Sequence, residues 1–409
     1  MTRVEGGAEL SIDAAIEALS ATIVPITVAE IVPTRAALHR VLARDLVSAI
    51  DLPNADNAAM DGYAVRAADL GHDTSLREIG RALAGQPSSA RVEPGTAVRI
   101  MTGAPMPAGA DTVVMLEHVA VSESEIRLIT ASEPGANVRR RGEHINAGAT
   151  ALALGTHLRP VDVGLATAVG ASELPVFRRL RVGVLSTGDE LADPPAPPSE
   201  CGGYDANRPF LLGSLAQLGF DAVDLGICAD RADDFERAAH GAVRARLDVL
   251  LTSGGAARGD ADIVRKAGGV TFVALNIRPG RGIALAALGG PAHHTLLLGL
   301  PGNAVAAFLM FQLVARPVIL RLAGARVRRA RRLQLPLAQP LTHRGGRIDY
   351  QRAQLVTDAD GRLSVLPLAA QGSAMLLTIT QADALIAIGP QAHYAAGDEV
   401  ETLLLDLLT

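Results

Sequence analysis

The chain has 409 residues, of which 49% are hydrophobic and 20% charged, and a formal net charge of −5. This length is too great for one ordinary core and the composition is that of a folded protein, so we expect two to four packed domains. Aromatic residues make up only 3% and Trp is absent, which argues against base-stacking surfaces for nucleic acid, and the negative charge argues against anionic membranes.

Cysteine content and apolar runs bear on the compartment. The two cysteines, Cys201 and Cys228, are too few and too far apart for a disulfide framework or a CxxC motif, as is typical of a reducing compartment. The N-terminus resembles no signal peptide. The longest apolar stretch, residues 304–315, stops at Arg316-Pro317 and is too short to span a bilayer. We therefore expect a cytoplasmic protein in which this stretch forms a buried helix.

The first part of the chain predicts helices followed by a β-rich module. Two short helical patterns within residues 12–42 flank a β-branched run at 23–28. From about residue 51 the texture changes to short alternating strands at 63–65, 97–100 and 112–115, which predict a small β-rich module ending near residue 135. A helical stretch at 160–169 leads out of it.

From residue 180 onward, apolar strands alternate with helices. Strands are predicted at 182–185, 222–227, 248–252, 272–275 and 295–298, and helices after Asn207, over 233–246 and after Asn303. This alternation indicates an α/β domain whose parallel sheet is covered on both faces. Beyond the arginine-rich run at 326–332 the helical period is lost, which predicts a small all-β domain.

Three predicted strand ends carry small or polar residues, in the loops 186–190, 253–262 and 301–303. In an open parallel sheet, ligands bind at the carboxyl ends of the strands. Glycines let the backbone approach a ligand, and the helix start after Pro301-Gly302-Asn303 would attract an anion. Each loop alone could be only a tight βα turn, but three on one edge favour a pocket. The candidate binding residues are Ser186, Thr187, Gly188, Asp189, Ser253, Gly254, Gly255, Pro301, Gly302 and Asn303.

Carboxylates follow the same strand ends: Asp189, Glu190, Asp230, Asp260 and Asp262. Acids around an anion pocket suggest Mg²⁺, which takes oxygen ligands and bridges to phosphate. We consider Glu190, Asp230, Asp260 and Asp262 as metal ligands, and Glu190 and Asp262 as catalytic. The alternative is that some of these acids cap helices, as Asp230 could do for the helix that follows it.

Arginines form a candidate oxyanion fork and two runs. Arg278 and Arg281 flank a Pro-Gly turn after a predicted strand, an arrangement suited to phosphate or molybdate, although the turn could also simply be solvated. The runs at 139–141 and 326–332 are better explained as solvated or interdomain arginines than as a nucleic-acid surface.

A set of ordered motifs extends along essentially the whole chain. The motifs are DNAAMDGYAV at 56–65, RIMTGAP at 99–105, RRRGE at 139–143, STGDEL at 186–191, YDANR at 204–208, SGG at 253–255, LPGN at 300–303, RIDYQR at 347–352 and QGS at 371–373. In this order they resemble the molybdopterin molybdenumtransferases, the family that includes the E domain of gephyrin.

The resemblance implies four domains and a homodimer. The domains are an elongated linker and dimerisation domain (1–50 and 138–178), an inserted β-rich domain (51–137), a doubly wound molybdopterin-binding domain (179–326) and a C-terminal β-barrel (327–409). The active site would lie between one subunit's doubly wound domain and the other's inserted domain, where Asp61 and Thr102 match catalytic positions of the family.

The implied reaction inserts molybdate into adenylylated molybdopterin and releases AMP with the help of Mg²⁺. The implied partners, besides a second copy, are a molybdopterin adenylyltransferase and the molybdoenzymes or chaperones that receive the cofactor. Neither nucleic acid nor a membrane is expected as a partner.

The chain departs from the family pattern around the anion pocket. Ala257 and Ala306 replace serines, Arg278 and Arg281 replace lysines, and Arg258, Ala304 and His144 are also unusual. Two hydroxyls that would help to bind the oxyanion are therefore missing. The sequence thus leaves three interpretations: an active transferase, a diverged paralogue that binds a pterin or nucleotide as a carrier, regulator or scaffold, or an unrelated enzyme on the same fold.

Overall fold

The computed structural model describes residues 9–71, 73–122, 125–130, 132–255, 270–290, 293–327, 329–343 and 345–405. Up to residue 178 it contains helices α1 (Ile12–Ser20) and α2 (Pro160–Ala168). The strands of this part are β1 (Ala29–Pro33), β2 (Leu46–Val47), β3 (Asn57–Ala58), β4 (Gly62–Val65), β5 (Ser75–Ala82), β6 (Thr96–Ile100), β7 (Thr112–Met115), β8 (Val119–Ser122), β9 (Glu125–Leu128), β10 (Val138–Arg139), β11 (Thr150–Leu152) and β12 (Glu173–Phe177).

Two distant chain segments run antiparallel and form an elongated linker. Strand β1 pairs with β12 over five residues, and β2 pairs with β11. Helix α1 confirms the first helical pattern. The side chain of Ser11 caps this helix by accepting a hydrogen bond from the N–H of Ala14 (3.2 Å). The second pattern was wrong: it forms only a 3₁₀ turn, Thr34–Ala36, because the preceding residues are drawn into β1 by pairing with β12.

The inserted β-rich domain is a six-stranded sheet in the order β7-β4-β6-β5-β9-β8. Three of its strands confirm the alternating patterns at 63–65, 97–100 and 112–115. Both faces of the sheet are covered, one around Val98 and Ile100 and the other around Tyr63 and Ile126. This sheet supports the two candidate residues Asp61 and Thr102 at one end.

The central α/β region is built on a mixed sheet. Its helices are α3 (Asn207–Gln217) and α4 (Ala232–Arg244), and its strands are β13 (Arg181–Thr187), β14 (Leu191–Ala192), β15 (Gly203–Tyr204), β16 (Asp221–Cys228), β17 (Val249–Ser253), β18 (Thr271–Ala274), β19 (Ile277–Arg278), β20 (Gly282–Gly290) and β21 (His293–Leu300). The order β16-β13-β17-β21-β20-β18 confirms the predicted parallel arrangement for the first four strands. The last two extend it antiparallel, and β20 was not anticipated.

A nearly continuous helical rod follows β21: α5 (Ala304–Met310), a π-helical segment (Phe311–Ala315) and α6 (Arg316–Leu322). The predicted stop at Arg316-Pro317 was wrong. The wider π turn directly before Pro317 gives its ring room against the preceding carbonyls, where an α turn would clash. The rod of 19 residues is long and apolar enough to cross a membrane, but 78% of its most apolar 18-residue window is buried inside the fold, as predicted for a core helix.

The C-terminal domain closes into a barrel. It consists of β22 (Leu333–Pro336), β23 (Leu341–Thr342), β24 (Ile348–Thr357), β25 (Leu363–Pro367), a short helix α7 (Leu377–Thr380), β26 (Ala384–Ile388), β27 (His393–Tyr394) and β28 (Glu399–Leu404). The strands pair in the order β25-β24-β26-β28-β22, and a bridge between Leu337 and Val365 joins the two ends. The predicted β-barrel is therefore confirmed.

Candidate functional site

Three of the predicted loops begin side by side at one edge of the central sheet. Strands β13, β17 and β21 are direct neighbours and run parallel. Ser186 lies opposite Ser253, which in turn lies opposite Leu300. The strand-end pattern in the sequence thus corresponds to one continuous edge.

The loops are in direct contact with one another. A Cβ on Gly254, whose φ is +91°, would come within 2.4 Å of the Thr187 carbonyl oxygen, so only glycine fits. Asn207, the first residue of α3, donates from Nδ2 to Ser253 Oγ (2.7 Å) and to the carbonyl oxygen of Gly302 (2.6 Å). Asn207 therefore ties the second and third loops together. The sequence analysis placed it in a family motif but not in the site.

Two hydroxyls at this edge have no partner within the described chain. Ser186 is fully buried and Thr187 is 4% exposed. Neither Ser186 Oγ nor Thr187 Oγ1 makes a hydrogen bond to a described residue. Buried polar groups in folded proteins are nearly always satisfied. The edge therefore offers hydrogen-bonding capacity that the described residues do not use.

Acids gather beside the first loop. The N–H of Asp230 donates to Asp189 Oδ1 (3.1 Å). Burial, followed by the negative charges of Asp189 and Glu190, raises the pKa of Asp230 above its ordinary value. The alternative of a helix cap does not hold for Asp230, because α4 begins after Arg231 and has no side-chain cap. These carboxylates repel one another, as expected where a cation is to be bound.

The other two candidate metal ligands, Asp260 and Asp262, lie outside the described residues, as do the departures Ala257 and Arg258. Within the part of the chain that is described, no group of three or more His, Cys, Asp or Glu side chains is arranged so that it could hold a metal ion. Any cation at Asp189, Glu190 and Asp230 would therefore need further oxygen ligands from outside this group.

A cavity of about 670 Å³ adjoins the third loop. It contains the predicted arginine fork, the loop before the rod and several residues of the C-terminal domain. Its lining consists of Phe272, Arg278, Pro279, Gly280, Arg281, Gly282, Pro301, Asn303, Ala306, His343, Asp349, Gln371, Gly372 and Ser373. The fork and the loop at 301–303, which lie about twenty residues apart in the sequence, thus share one cavity.

The C-terminal domain positions the arginine turn. Strand β19 leaves the central region and pairs in parallel with β24, so that Arg278 lies opposite Asp349. Arg278 Nη2 donates to the carbonyl oxygen of Gly345 (2.7 Å). Arg281 is more than half exposed and makes a long contact with Glu9 (3.4 Å). One guanidinium is therefore anchored, and the other is largely free to meet a ligand.

The start of the rod is less open than predicted. Asn303 does not cap the helix. Its Nδ2 donates to Ser373 Oγ (3.2 Å), and the N–H of Val305 donates to the Ser373 carbonyl oxygen (2.9 Å). One of the N–H groups expected to face an anion is thus taken by the C-terminal domain. The sequence analysis missed Ser373, whose only signal was the family motif QGS.

Asp61 and Thr102 form one unit on the inserted sheet. Gly62 pairs with Ile100, and this register brings the residues on either side together. Asp61 Oδ1 accepts hydrogen bonds from the N–H and the Oγ1 of Thr102, both at 2.7 Å. These bonds, the backbone one first, lower the pKa of Asp61. Both residues are exposed, and neither is among the described residues that line the 670 Å³ cavity of the same chain.

Comparison with known families covers most of the chain. The family model of the MoeA N-terminal region (domain I and II) matches residues 10–170. A probable molybdopterin binding domain matches residues 183–321, and the MoeA C-terminal region (domain IV) matches residues 334–405.

Individual proteins are similar over nearly the whole length. The molybdopterin molybdenumtransferases of Haemophilus influenzae and Synechococcus elongatus are each 34% identical to this chain. The alignments cover 90% and 96% of this chain, and 91% and 98% of the respective relatives. The crystal structure of the molybdopterin biosynthesis moeA protein from Pyrococcus horikoshii has a TM-score of 0.76 and 26% identity, covering 97% of this chain and 100% of that chain.

Proposed function

Because the chain belongs to the molybdopterin molybdenumtransferase family, we propose that it inserts molybdate into adenylylated molybdopterin and releases AMP. Its role as a transferase in molybdenum cofactor biosynthesis follows from the relatives. The release of AMP, the use of Mg²⁺ and the roles of individual residues are our proposals.

The observation that carries the oxyanion site is the cavity shared by Arg278, Arg281 and the loop at 301–303. A tetrahedral dianion needs several donors, and guanidinium groups bind such ions through paired N–H groups. Arg281 would be the guanidinium that can reorient to bind the ion, since Arg278 is held by its hydrogen bond to the Gly345 carbonyl oxygen. The missing serine hydroxyl at Ala306 leaves the arginines to hold the ion.

The neighbouring edge of the sheet would hold the phosphate and pterin part of the substrate. Gly254 lets its loop pack directly against the Thr187 carbonyl oxygen, and the hydroxyls of Ser186 and Thr187 lack partners in the described chain. Phosphate groups favour such strand-end loops. In this arrangement the phosphoanhydride bond that joins AMP to the molybdopterin phosphate would lie between the sheet edge and the arginine cavity.

The acids beside the first loop are our candidates for holding a Mg²⁺ ion. Burial, and then the negative charges of Asp189 and Glu190, raise the pKa of Asp230, and Mg²⁺ typically uses one or two carboxylates together with substrate phosphates and water. Glu190 and Asp230 would hold the ion, with Asp260 and Asp262 as further candidates. When bound, Mg²⁺ would neutralise charge that develops on the departing AMP.

We further propose a homodimer with a shared cleft. The exposed Asp61–Thr102 unit lies on the inserted sheet, away from the cavity of its own chain, and its carboxylate is held ionised. Such a unit suits a position that closes the cleft of a second copy. A molybdopterin adenylyltransferase and cofactor-receiving enzymes or chaperones are the expected partners. A reducing, cytoplasmic location fits the two free cysteines, Cys201 and Cys228.

The proposed function is tested by single-turnover assays on the purified chain. We expect AMP to appear when adenylylated molybdopterin, Mg²⁺ and molybdate are all present, and its release to slow when molybdate is omitted. Tight binding of adenylylated molybdopterin without any release of AMP would instead support the non-catalytic paralogue.

A further inference from the structure

A second cavity, of about 580 Å³, lies where helix α1, the rod, the linker and the C-terminal barrel meet. Its described lining contains seven arginines but only three carboxylates. The arginines are Arg159, Arg316, Arg321, Arg326, Arg329, Arg331 and Arg332, and the carboxylates are Asp13, Glu17 and Asp162. Ala306 lines the first cavity and Arg316 the second, ten residues further along the rod, or ~15 Å at helical rise.

The carboxylates of this cavity are already paired. Arg329 contacts both Asp13 and Glu17. Arg159 forms a two-point contact with Asp162 at 2.9 and 3.0 Å. The lining therefore carries a net positive charge, which resides on the arginines that have no carboxylate partner among the lining residues.

Arg316 carries part of this excess charge on the rod, where it is only partly exposed. It is half-buried, and among the described residues no acid pairs with it. Burial, unopposed by any negative charge, lowers the pKa of Arg316. A guanidinium nevertheless keeps its proton in proteins, so the charge stays and the chain does not compensate it. An anion in the cavity would supply the missing partner.

Gln312 lies one turn before Arg316 and lines the same cavity. The residue is only 4% exposed, and its Oε1 has no hydrogen-bond partner within the described chain. It belongs to the π-helical segment, a geometry that recurs at functional sites. A buried acceptor of this kind requires a donor. Next to it, Leu313, Pro317 and Leu320 offer apolar surface to the same space.

We propose that this cavity is a second ligand site, separate from the oxyanion cavity, and that it binds a hydroxylated organic phosphate. The phosphate group pairs with Arg316, and a hydroxyl group of the ligand donates to Gln312 Oε1. Phosphate is favoured because guanidinium forks match its oxygens and several arginines surround the space. The volume lies within the range of sites for small organic ligands and exceeds what a single phosphate ion fills.

Ribose 5-phosphate is a suitable probe for isothermal titration calorimetry on the full chain. We expect Arg316→Met to weaken its binding about tenfold or more, as for a lost charge-assisted hydrogen bond. Gln312→Leu should weaken ribose 5-phosphate but leave inorganic phosphate unchanged. Arg281→Ala, in the other cavity, is the matched control and should leave ribose 5-phosphate binding unaltered.

Thermal unfolding separates a ligand site from a structural role. Without ligand, Arg316→Met should melt at or above the wild-type temperature, because it removes an uncompensated buried charge. Ribose 5-phosphate should raise the melting temperature of the wild type but not of Arg316→Met. The proposal is overturned if the ligand-free variant loses stability, if ribose binds as tightly as ribose 5-phosphate, or if Arg281→Ala alone abolishes binding. Absence of binding at about 10 mM, where even a millimolar site is filled, also overturns it. None of these results depends on the transferase reaction.

Discussion

The carboxylates of the inserted domain and those at the strand ends of the central sheet have opposite surroundings. Hydrogen bonds from backbone N–H groups, and then arginine or threonine side chains, lower the pKa values of Asp51, Asp56 and Asp61. At the strand ends, burial and neighbouring acids raise the pKa of Asp230. The ionised carboxylates of the inserted domain are stabilised by hydrogen bonds within the chain, whereas the ionised form of Asp230 is destabilised. Burial and uncompensated charge therefore distinguish Asp230 at the strand-end edge, where we propose ligand binding, from the hydrogen-bonded carboxylates of the inserted domain.

The largest effect is expected from the strand-end acids. Glu190→Ala should lower turnover by on the order of a hundredfold, as for a lost group that stabilises developing charge. The control is Glu200→Ala, which should leave turnover unchanged, because Glu200 is an exposed acid in the loop between β14 and β15. The measurement is AMP release at saturating substrate. Equal rates for wild type and Glu190→Ala would remove this residue from the mechanism.

The shared cleft predicts that two inactive variants complement each other. Asp61→Asn and Glu190→Ala should each be nearly inactive as homodimers. Co-expressed with different affinity tags, they should give a heterodimer with one cleft free of substitutions, because Asp61 of one copy closes the cleft that contains Glu190 of the other. Activity of the doubly purified heterodimer no higher than that of either variant, or a monomer in sedimentation at micromolar concentration, would contradict the shared site.

The arginines offer a matched pair of cations. Arg281 and Arg347 both contact Glu9, at 3.4 and 3.7 Å, but only Arg281 lines the 670 Å³ cavity. Arg281→Ala should weaken molybdate binding by about tenfold to a hundredfold, in line with the strength of hydrogen bonds to charged groups. Arg347→Ala should leave it unchanged. A similar loss in both variants would mean that the Glu9 contact, and not the cavity, matters.

Restoring a hydroxyl should act in the opposite direction. Ala306→Ser adds a donor at a residue that lines the cavity, and should tighten molybdate binding about tenfold. Ala304→Ser, in the first turn of the same rod but outside the described lining, is the control. If Ala306→Ser has no effect although the wild type binds molybdate, the anion lies elsewhere in the cavity.

The smallest effects concern stability, and they have opposite signs. Asp56→Asn should lower the melting temperature at pH 7 by about 2 °C, because it loses the bonds to Arg140 and Arg141. Its folded pKa lies below the ordinary 3.8, so this stabilisation exists above pH 3.8 and disappears as the pH falls through the lower folded value.

Asp230→Asn should instead raise the melting temperature at pH 7 by a similar amount, about 2 °C. Since the folded pKa of Asp230 is raised, ionisation destabilises the fold increasingly as the pH rises past 3.8 and through the folded value. The difference should vanish in acid. Melting curves between pH 3 and 8 without Mg²⁺ measure both variants, and equal signs at pH 7 would break the comparison.

Local patterns predicted many of the elements, and strand ends and family motifs supplied most of the candidate site residues. The carboxyl ends of β13, β17 and β21 could be foreseen because neighbouring parallel strands expose their ends on one edge. Strand β20 could not, since its Ala- and Gly-rich sequence has no alternating pattern and its place depends on pairing with β21. Likewise, Ser373 and the anchoring of Arg278 arise from contacts between domains. Such contacts leave no local signal in a single sequence.

The π turn within the rod also determines where the chain can change length. In an α-helix, each deleted residue rotates everything beyond it by ~100°, which would turn Arg316 and Arg321 away from their present neighbours. A five-residue π turn already contains one residue more than an α turn of the same span. A one-residue deletion within Phe311–Ala315 would convert this turn to α geometry and let both flanking helices keep their faces, but it would bring the Pro317 ring against the preceding carbonyls. The π turn is therefore the one position in the described rod at which losing a residue would keep the orientation of both ends, and the position of Pro317 opposes that loss.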